Sequence, residues 1–559
     1  MRHLFMPLLS MGLYIGICAS SITLPVRASL ENNLKHTPAA EALAVIDTTP
    51  EHWRFLTQKE PFASGLREFQ EEIRGDIAEE LGLDLEEELL PMIGTHLNLA
   101  FYGNESVPVL VVVDLKPASA VADRAYAQLI AKLESKAQQD QRKALQKIDW
   151  KGHTLYGFQR TGKNKDIVYM SRTLDKTALL IGSLKRVKAG LIQQTPQINQ
   201  RHFQPIYQRL KAQKFWFYGT PPALLKTLKA QKLQTEDLKE IGQYQHAGFG
   251  MDINVQGLLL KSVVELPQGP VLRALKTPSK TPERIRKTAP MHTLVFASAS
   301  DLKALLSQDL KTILQDNQLK KFTGLNLYQD ILAPGDGHLG LAIFYPPGNT
   351  DYDRPPQLVL SMGSKNPQTL QQALVNKLSI DLNALAPKKS AAKRRQARQM
   401  PPLRFIKKPV TRYRGVPIYK MEQNATLNNL QQALFIDPVM AQVDNLWLMG
   451  SNMDALKQSL DQIKGNAQHL GSNRYLSQLQ SRYNLDPEQS TLFMDLRYIG
   501  DMLEFVAGED EEVQALRPTL SAFRSLLVGS TRENNLLETV AVMDVVWQKV
   551  DFELLRKFK

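Results

Sequence analysis

The sequence predicts an α+β protein of two tandem repeat units, each an antiparallel sheet with helices packed on one face. Three observations carry this expectation. The chain matches itself: residues 82–100 (GLDLEEELLPMIGTHLNLA) align without a gap on residues 324–342 (GLNLYQDILAPGDGHLGLA), and 8 of 19 positions are identical, where chance would give about one. Further landmarks then recur in the same order. Short β-type runs also alternate with segments of helical periodicity in both halves.

In chain order, Leu97-Asn-Leu-Ala-Phe-Tyr102 and Val107-Pro-Val-Leu-Val-Val-Val-Asp114 flank Gly103-Asn104, a hairpin signal. Val121 to Leu133 and Leu184 to Gln194 place apolar residues at helical spacing, as amphipathic helices do. Trp150-Lys-Gly-His-Thr-Leu-Tyr156 resembles Tyr413-Arg-Gly-Val-Pro-Ile-Tyr419, and Ala178-Leu-Leu-Ile-Gly-Ser183 resembles Leu446-Trp-Leu-Met-Gly-Ser451. Phe249 to Leu266 and Leu526 to Met543 each read as two apolar strands around a polar turn. These landmarks place one unit at 39–272 and the other at 289–546, with a Pro- and Lys-rich linker at 273–288 and a tail at 547–559.

Each unit is long enough for its own core. The chain has 559 residues, 43% of them hydrophobic, which excludes a wholly disordered or collagenous protein. A single cysteine, Cys18, excludes an intramolecular disulfide or a CxxC centre. It lies in the apolar run Leu4 to Leu24, which follows Arg2 and precedes Pro25-Val26-Arg27-Ala28. That pattern predicts a secretory signal over 1–28, cut after Ala28, with an uncleaved anchor over residues 4–24 as the alternative. Either places the body of the chain outside the cytoplasm. Ile17 before Cys18 does not suit lipid attachment.

Pro38-Ala-Ala-Glu-Ala-Leu43, Thr49-Pro50-Glu-His-Trp53 and Glu88-Leu-Leu-Pro-Met-Ile-Gly94 resemble an exported protein family best represented in cyanobacteria, domain of unknown function 3352. Met92 stands where that family often has Trp. The resemblance implies periplasm or thylakoid lumen, soluble or anchored, and carries no catalytic residues to transfer.

Signatures of chemistry are mostly missing. Gly157-Phe-Gln-Arg-Thr-Gly162-Lys163 imitates a phosphate-binding loop, but Asn164 replaces the magnesium-binding hydroxyl and Asp166 to Met170 reads as a strand where a helix is needed. The sequence has no Gly-x-Ser-x-Gly elbow and no His-Glu-x-x-His. His96 and His338 share one repeat position and read as polar residues at a strand edge rather than a paired metal site, and Asp336 reads as a turn residue. The acidic stretches 71–88 and Glu509-Asp-Glu-Glu512 read as solvated helix faces. No catalytic, cofactor-binding or metal-binding residue is therefore assigned, and an enzyme such as a hydrolase with an unfamiliar site is the lesser expectation.

Charge supplies the one candidate surface. The formal net charge is +13, yet Lys388 through Arg414 hold 11 basic residues and no acid, and with Arg2 and Arg27 set aside the remainder is formally neutral. The second unit is 18 residues longer than the first between Lys377-Leu378 and Gly415 when matched to Lys132-Leu133 and Gly152, so 387–414 reads as an inserted mobile loop. Its candidate contacts are Lys388, Lys389, Lys393, Arg394, Arg395, Arg398, Arg404, Lys407 and Lys408, with Phe405-Ile406 as a shallow apolar contact. An anionic membrane surface, a membrane protein complex or an acidic protein fits these cations. Export argues against nucleic acid. The expected function is a non-enzymatic, membrane-associated binding protein, and the family's distribution extends it to an assembly or maintenance factor for a photosynthetic membrane complex. A binding protein for lipid or another apolar ligand is the alternative.

Overall fold

The computed structural model describes, in the main, residues 30–49, 92–116, 120–139, 145–159, 167–220, 245–266, 281–299, 317–345, 356–381, 401–424, 437–483, 491–498 and 521–550. The chain divides into two compact units, 1–267 with Asn535–Glu538, and 268–534 with 539–559. Both are mixed α/β with antiparallel sheets.

Unit 1 contains β1 (Ala42–Asp47), β2 (Ile93–Phe101), β3 (Val109–Leu115), β4 (Gln146–Trp150), β5 (His153–Gln159), β6 (Ile167–Arg172), β7 (Ala178–Gly182), β8 (Phe215–Gly219), β9 (His246–Asn254) and β10 (Gly257–Glu265). They pair antiparallel in the order β4-β5-β6-β7-β3-β2-β1-β8-β9-β10. The β4–β5 turn uses Lys151 (φ 48°) and Gly152 (φ 79°), two successive left-handed residues whose twist suits a two-residue hairpin.

All seven residues of β3 are buried, so the sheet is covered on both faces. Ala44, Leu97, Leu99, Val111 and Val113 pack against Ala122, Ala125 and Leu129 of helix Ala120–Gln139. The alternate residues Leu43, Val45, Leu110 and Val112 pack against Leu34, Val187, Phe203 and Ile206, which come from helices Leu30–Lys35, Leu184–Leu191 and Phe203–Leu210. The expectation of helices on one face is thus corrected. A strand whose successive side chains are all aliphatic must be sheltered on both sides.

Unit 2 contains β11 (Thr293–Ala299), β12 (Gly335–Phe344), β13 (Gln357–Ser364), β14 (Ser379–Ile380), β15 (Leu403–Arg404), β16 (Thr411–Tyr413), β17 (Val416–Lys420), β18 (Val439–Val443), β19 (Leu446–Gly450), β20 (Thr491–Asp495), β21 (Phe523–Glu533) and, from Thr539 on, β22 (Leu536–Val545), whose first three residues count with unit 1. The pairing order is β16-β17-β18-β19-β13-β12-β11-β20-β21. A turn at Asn534 (φ 55°) leads into β22. The β16–β17 turn again uses two left-handed residues, Arg414 (φ 49°) and Gly415 (φ 79°). On one face Met362 and Trp447 meet Leu370 and Leu374 of helix Pro367–Lys377. On the other, Gly340 lies so close to helix Thr281–Lys287 that an added Cβ would meet Ile285 Cγ2 at 2.3 Å. Ser459 of helix Met453–Ile463 donates to the Thr288 carbonyl at 2.7 Å on that side.

Four local expectations are corrected. Residues 281–288 are not linker, because Ile285 and Thr288 are buried within unit 2. Unit 1 begins before residue 39, since Leu30 and Leu34 belong to its core. The first long helix of unit 1 continues past Leu133 to Gln139. Part of the inserted loop is core: Leu403 and Phe405 are 3% and 2% exposed and pack with Met421, Met440 and Trp447.

Phe405 offers the clearest test of that correction. Phe405→Ala removes a ring from a filled core and is expected to cost about 3–5 kcal/mol, with a smaller loss for Ile406→Ala. Urea unfolding of the full chain, followed by fluorescence, measures the difference.

Candidate functional site

The end of the basic segment is built into unit 2. β15 pairs with β14 in the register Ser379↔Arg404 and Ile380↔Leu403. Leu403 and Phe405 point inward while Arg404, Lys407 and Lys408 are exposed, as is Arg412 farther along. Arg404 Nε donates to Ser379 Oγ at 3.2 Å, and Arg414 forms an ion pair with Asp461. Among the described residues, Lys407, Lys408 and Arg412 have no carboxylate partner. Strand alternation places Arg404 on the wet side between Leu403 and Phe405, and Lys407 and Lys408 follow in an exposed bend. Lys388, Lys389, Lys393, Arg394, Arg395 and Arg398 lie outside the described residues, as do Ala28, the acidic stretch 71–88 and Glu509–Glu512.

The other sequence candidates resolve into packing and turns. Gly157 sits in β5, where a Cβ would meet the Tyr169 ring at 2.7 Å. The next described element is strand β6, not a helix; residues 160–166 lie outside the described residues. His96 and His338 occupy matching irregularities: β2 carries two extra residues between the Ile93↔Leu115 and Leu97↔Val113 pairs, and β12 does so between Gly335↔Ser364 and Leu339↔Met362. His96 Nδ1 meets Thr95 Oγ1 at 2.8 Å. In unit 2 the bulge is closed locally, the His338 N–H donating to Asp336 Oδ1 at 3.0 Å.

Unit 1 closes its bulge across strands. The Thr95 N–H and hydroxyl donate to Asp114 Oδ2 at 2.9 and 3.0 Å. A Cβ on Gly94 would stand 2.6 Å from the same oxygen, so glycine is required there. Asp114 is fully buried and its Oδ1 has no partner among the described residues. Burial pushes its carboxyl up to about 6, against the lowering effect of the two Thr95 hydrogen bonds.

One constellation escaped sequence reasoning. His246 opens β9, Glu265 closes β10, and the two are register partners across the hairpin. His202 directly precedes helix Phe203–Leu210. Its ring stacks on His246 at 4.6 Å, and its Nδ1 lies 2.9 Å from Glu265 Oε2. Asn535, which counts with unit 1, donates from Nδ2 to Glu265 Oε1 at 2.9 Å. The Tyr218 hydroxyl meets His246 Nδ1 at 2.8 Å. Burial raises the Tyr218 hydroxyl and lowers the His246 imidazole, the latter aided by His202. Glu265 is 10% exposed and His202 45% exposed over their side chains. One donor atom from each of His202, His246 and Glu265 lies within 4.8 Å of the others. Spread over residues 202 to 265, they show no short ligand spacing, and the hairpin predicted over Phe249 to Leu266 contains Glu265 but begins three residues after His246.

The sequence pattern of a family described as "Protein of unknown function (DUF3352)" matches residues 35–398. The chain belongs to this family. The DUF3352 match ends inside the basic segment, so Arg404 to Arg414 lie beyond it. No curated protein matches the chain. Among solved structures, two crystal forms of TP0453 are similar at 11% and 10% identity. They cover 48% and 44% of this chain and 90% and 82% of theirs, each at a TM-score of 0.25. At that score the likeness bears on neither fold nor function. Among the described residues, no helix is long and apolar enough to cross a membrane.

Asp114 makes unit 1 sensitive to pH. A carboxyl raised from 3.8 to about 6 binds more protons folded than unfolded, so its contribution is full below about pH 4 and is lost as pH rises through 6. The loss is at most about 3 kcal/mol. Asp114→Asn is expected to flatten that part of the stability profile. Urea midpoints of wild type and variant between these pH values measure it; parallel profiles would show that Asp114 titrates normally.

Proposed function

We propose that this DUF3352 protein is a non-catalytic binding protein of an extracytoplasmic compartment, periplasm or thylakoid lumen, and that it docks on an anionic surface through residues 388–414. The observation that carries the reading is the anchoring of Leu403 and Phe405 in the unit 2 core, with Arg404, Lys407, Lys408 and Arg412 exposed beside them. A tethered cationic edge loses less freedom on docking than a free loop does. Close to an anionic membrane each such residue contributes about 1 kcal/mol. The export pattern over residues 1–28 makes a membrane surface, or an acidic face of a membrane protein complex, the fitting partner.

The two units read as copies of one ancestral unit. Their common pairing order, their two-residue excess at one bulge and their Lys-Gly and Arg-Gly turns support this. The family resemblance suggests a role in assembling or maintaining a photosynthetic membrane complex; normal photosystem assembly in a deletion strain would remove that role. An apolar ligand between sheet and helices has less support, because side chains from helices fill both described faces of the unit 1 sheet.

Sedimentation with phosphatidylglycerol-containing vesicles tests the docking surface. Wild type is expected to bind at low salt and to release at high salt. Replacing Arg404, Lys407 and Lys408 together by Glu is expected to weaken binding about 100-fold or more. Equal recovery of both proteins would defeat the proposal.

A further inference from the structure

We propose that His202, His246 and Glu265 form a binding site for one divalent ion of the zinc type in unit 1. Two imidazoles and one carboxylate are donors suited to Zn²⁺ and its first-row neighbours, whereas Ca²⁺ and Mg²⁺ take oxygen sets. Donors around a tetrahedral zinc ion stand about 3.3 Å apart. The three groups already bring one donor each within 4.8 Å, with His202 Nδ1 and Glu265 Oε2 at 2.9 Å. The two rings stand stacked and nearly parallel, so binding requires one imidazole to turn until its in-plane nitrogen faces the same point as the other's.

The surroundings hold these groups in the manner of a metal site's outer shell. The Tyr218 hydroxyl engages His246 Nδ1, which leaves Nε2 as the nitrogen for an ion. Asn535 Nδ2 fixes one carboxylate oxygen of Glu265. Both ligands lie on paired strand positions, so their separation is set by the ladder. His202 is the member on the water side, so the remaining coordination position would face solvent.

Unit 2 supplies an internal comparison. His246 and Glu265 stand eight residues from the hairpin ends of β9 and β10; Ser525 and Asp544 stand equally far from the hairpin ends of β21 and β22. His202 and Tyr475 each follow the start of a 3₁₀ turn, at Gln197 and Leu470, by five residues. The Tyr475 hydroxyl meets Ser525 Oγ at 2.8 Å and donates to Asp544 Oδ2 at 2.5 Å. Hydroxyls and one carboxylate thus close this place by hydrogen bonding alone. Two imidazoles are more than closure requires, and they are what an ion uses.

The test uses the full chain without a polyhistidine tag, stripped with chelator, and titrated with ZnCl₂ by calorimetry and with Co²⁺ by visible absorption. One tight equivalent, a tetrahedral Co²⁺ spectrum and a zinc-dependent rise in Tm are expected. His202→Ala, on the exposed side of the site, is expected to weaken that equivalent about 100-fold. A second variant carries the unit 2 set, His202→Tyr, His246→Ser and Glu265→Asp. It is expected to show no zinc-dependent shift from its own metal-free Tm, which is lowered by loss of the Tyr218–His246 hydrogen bond. Absence of zinc binding to millimolar concentration, or equal tight binding by wild type and His202→Ala, would overturn the site.

Discussion

The burial of β3 on both faces is the constraint that organises unit 1. Seven consecutive buried residues leave no wet side, so β2 and β7 must pair its edges and helices must cover it above and below. Aliphatic side chains placed there contribute about 1.5–3 kcal/mol each when fully buried, provided that backbone polar groups stay within the ladder. The placement of helix Ala120–Gln139 on one side and of Phe203–Leu210 on the other follows from this. In unit 2, where β12 alternates buried and half-buried residues, helices also lie on both faces, with Leu370 and Leu374 on one side and Ile285 on the other.

Both units place hydrogen-bonded polar side chains at their bulges and strand ends. At the bulge, unit 1 satisfies Thr95 with a buried aspartate from a neighbouring strand, whereas unit 2 satisfies His338 with Asp336 two residues away. At the outer hairpin, imidazoles and Glu265 stand in one unit where hydroxyls and Asp544 stand in the other. The geometry at these places demands closure by hydrogen bonds, but it leaves open which side chains supply it. Chemical differences between the units can therefore arise without change in the pairing order.

Much of the local structure was legible in the sequence. Gly103-Asn104 announced the hairpin of β2 and β3, and the apolar spacing from Val121 and from Leu184 announced helices. The aliphatic run Val109 to Val113 also carried the evidence for a strand covered twice, since a one-sided sheet would have alternated with polar residues. Phe405 was misread because it stands among cations, where composition suggests solvent. Its burial follows from the pairing of β14 with β15 and the antiparallel bridge from Phe405 to Met421, which bring it into the cluster with Met440 and Trp447. Helix Thr281–Lys287 was hidden for a related reason: its buried anchor is the single Ile285 among prolines and basic residues.

By itself the sequence determined several of the strands and helices, among them β2, β3 and the helices from Val121 and from Leu184, together with the self-similarity and the concentration of charge in one segment. Those features depend on side chains within a few residues of one another, and periodicity and turn chemistry report them directly. Tertiary structure alone decided which sheet face each helix covers, which residues of the basic segment are anchored, and that His202 meets His246 and Glu265. These outcomes depend on register between distant strands, where a shift of one residue would turn every side chain to the opposite face.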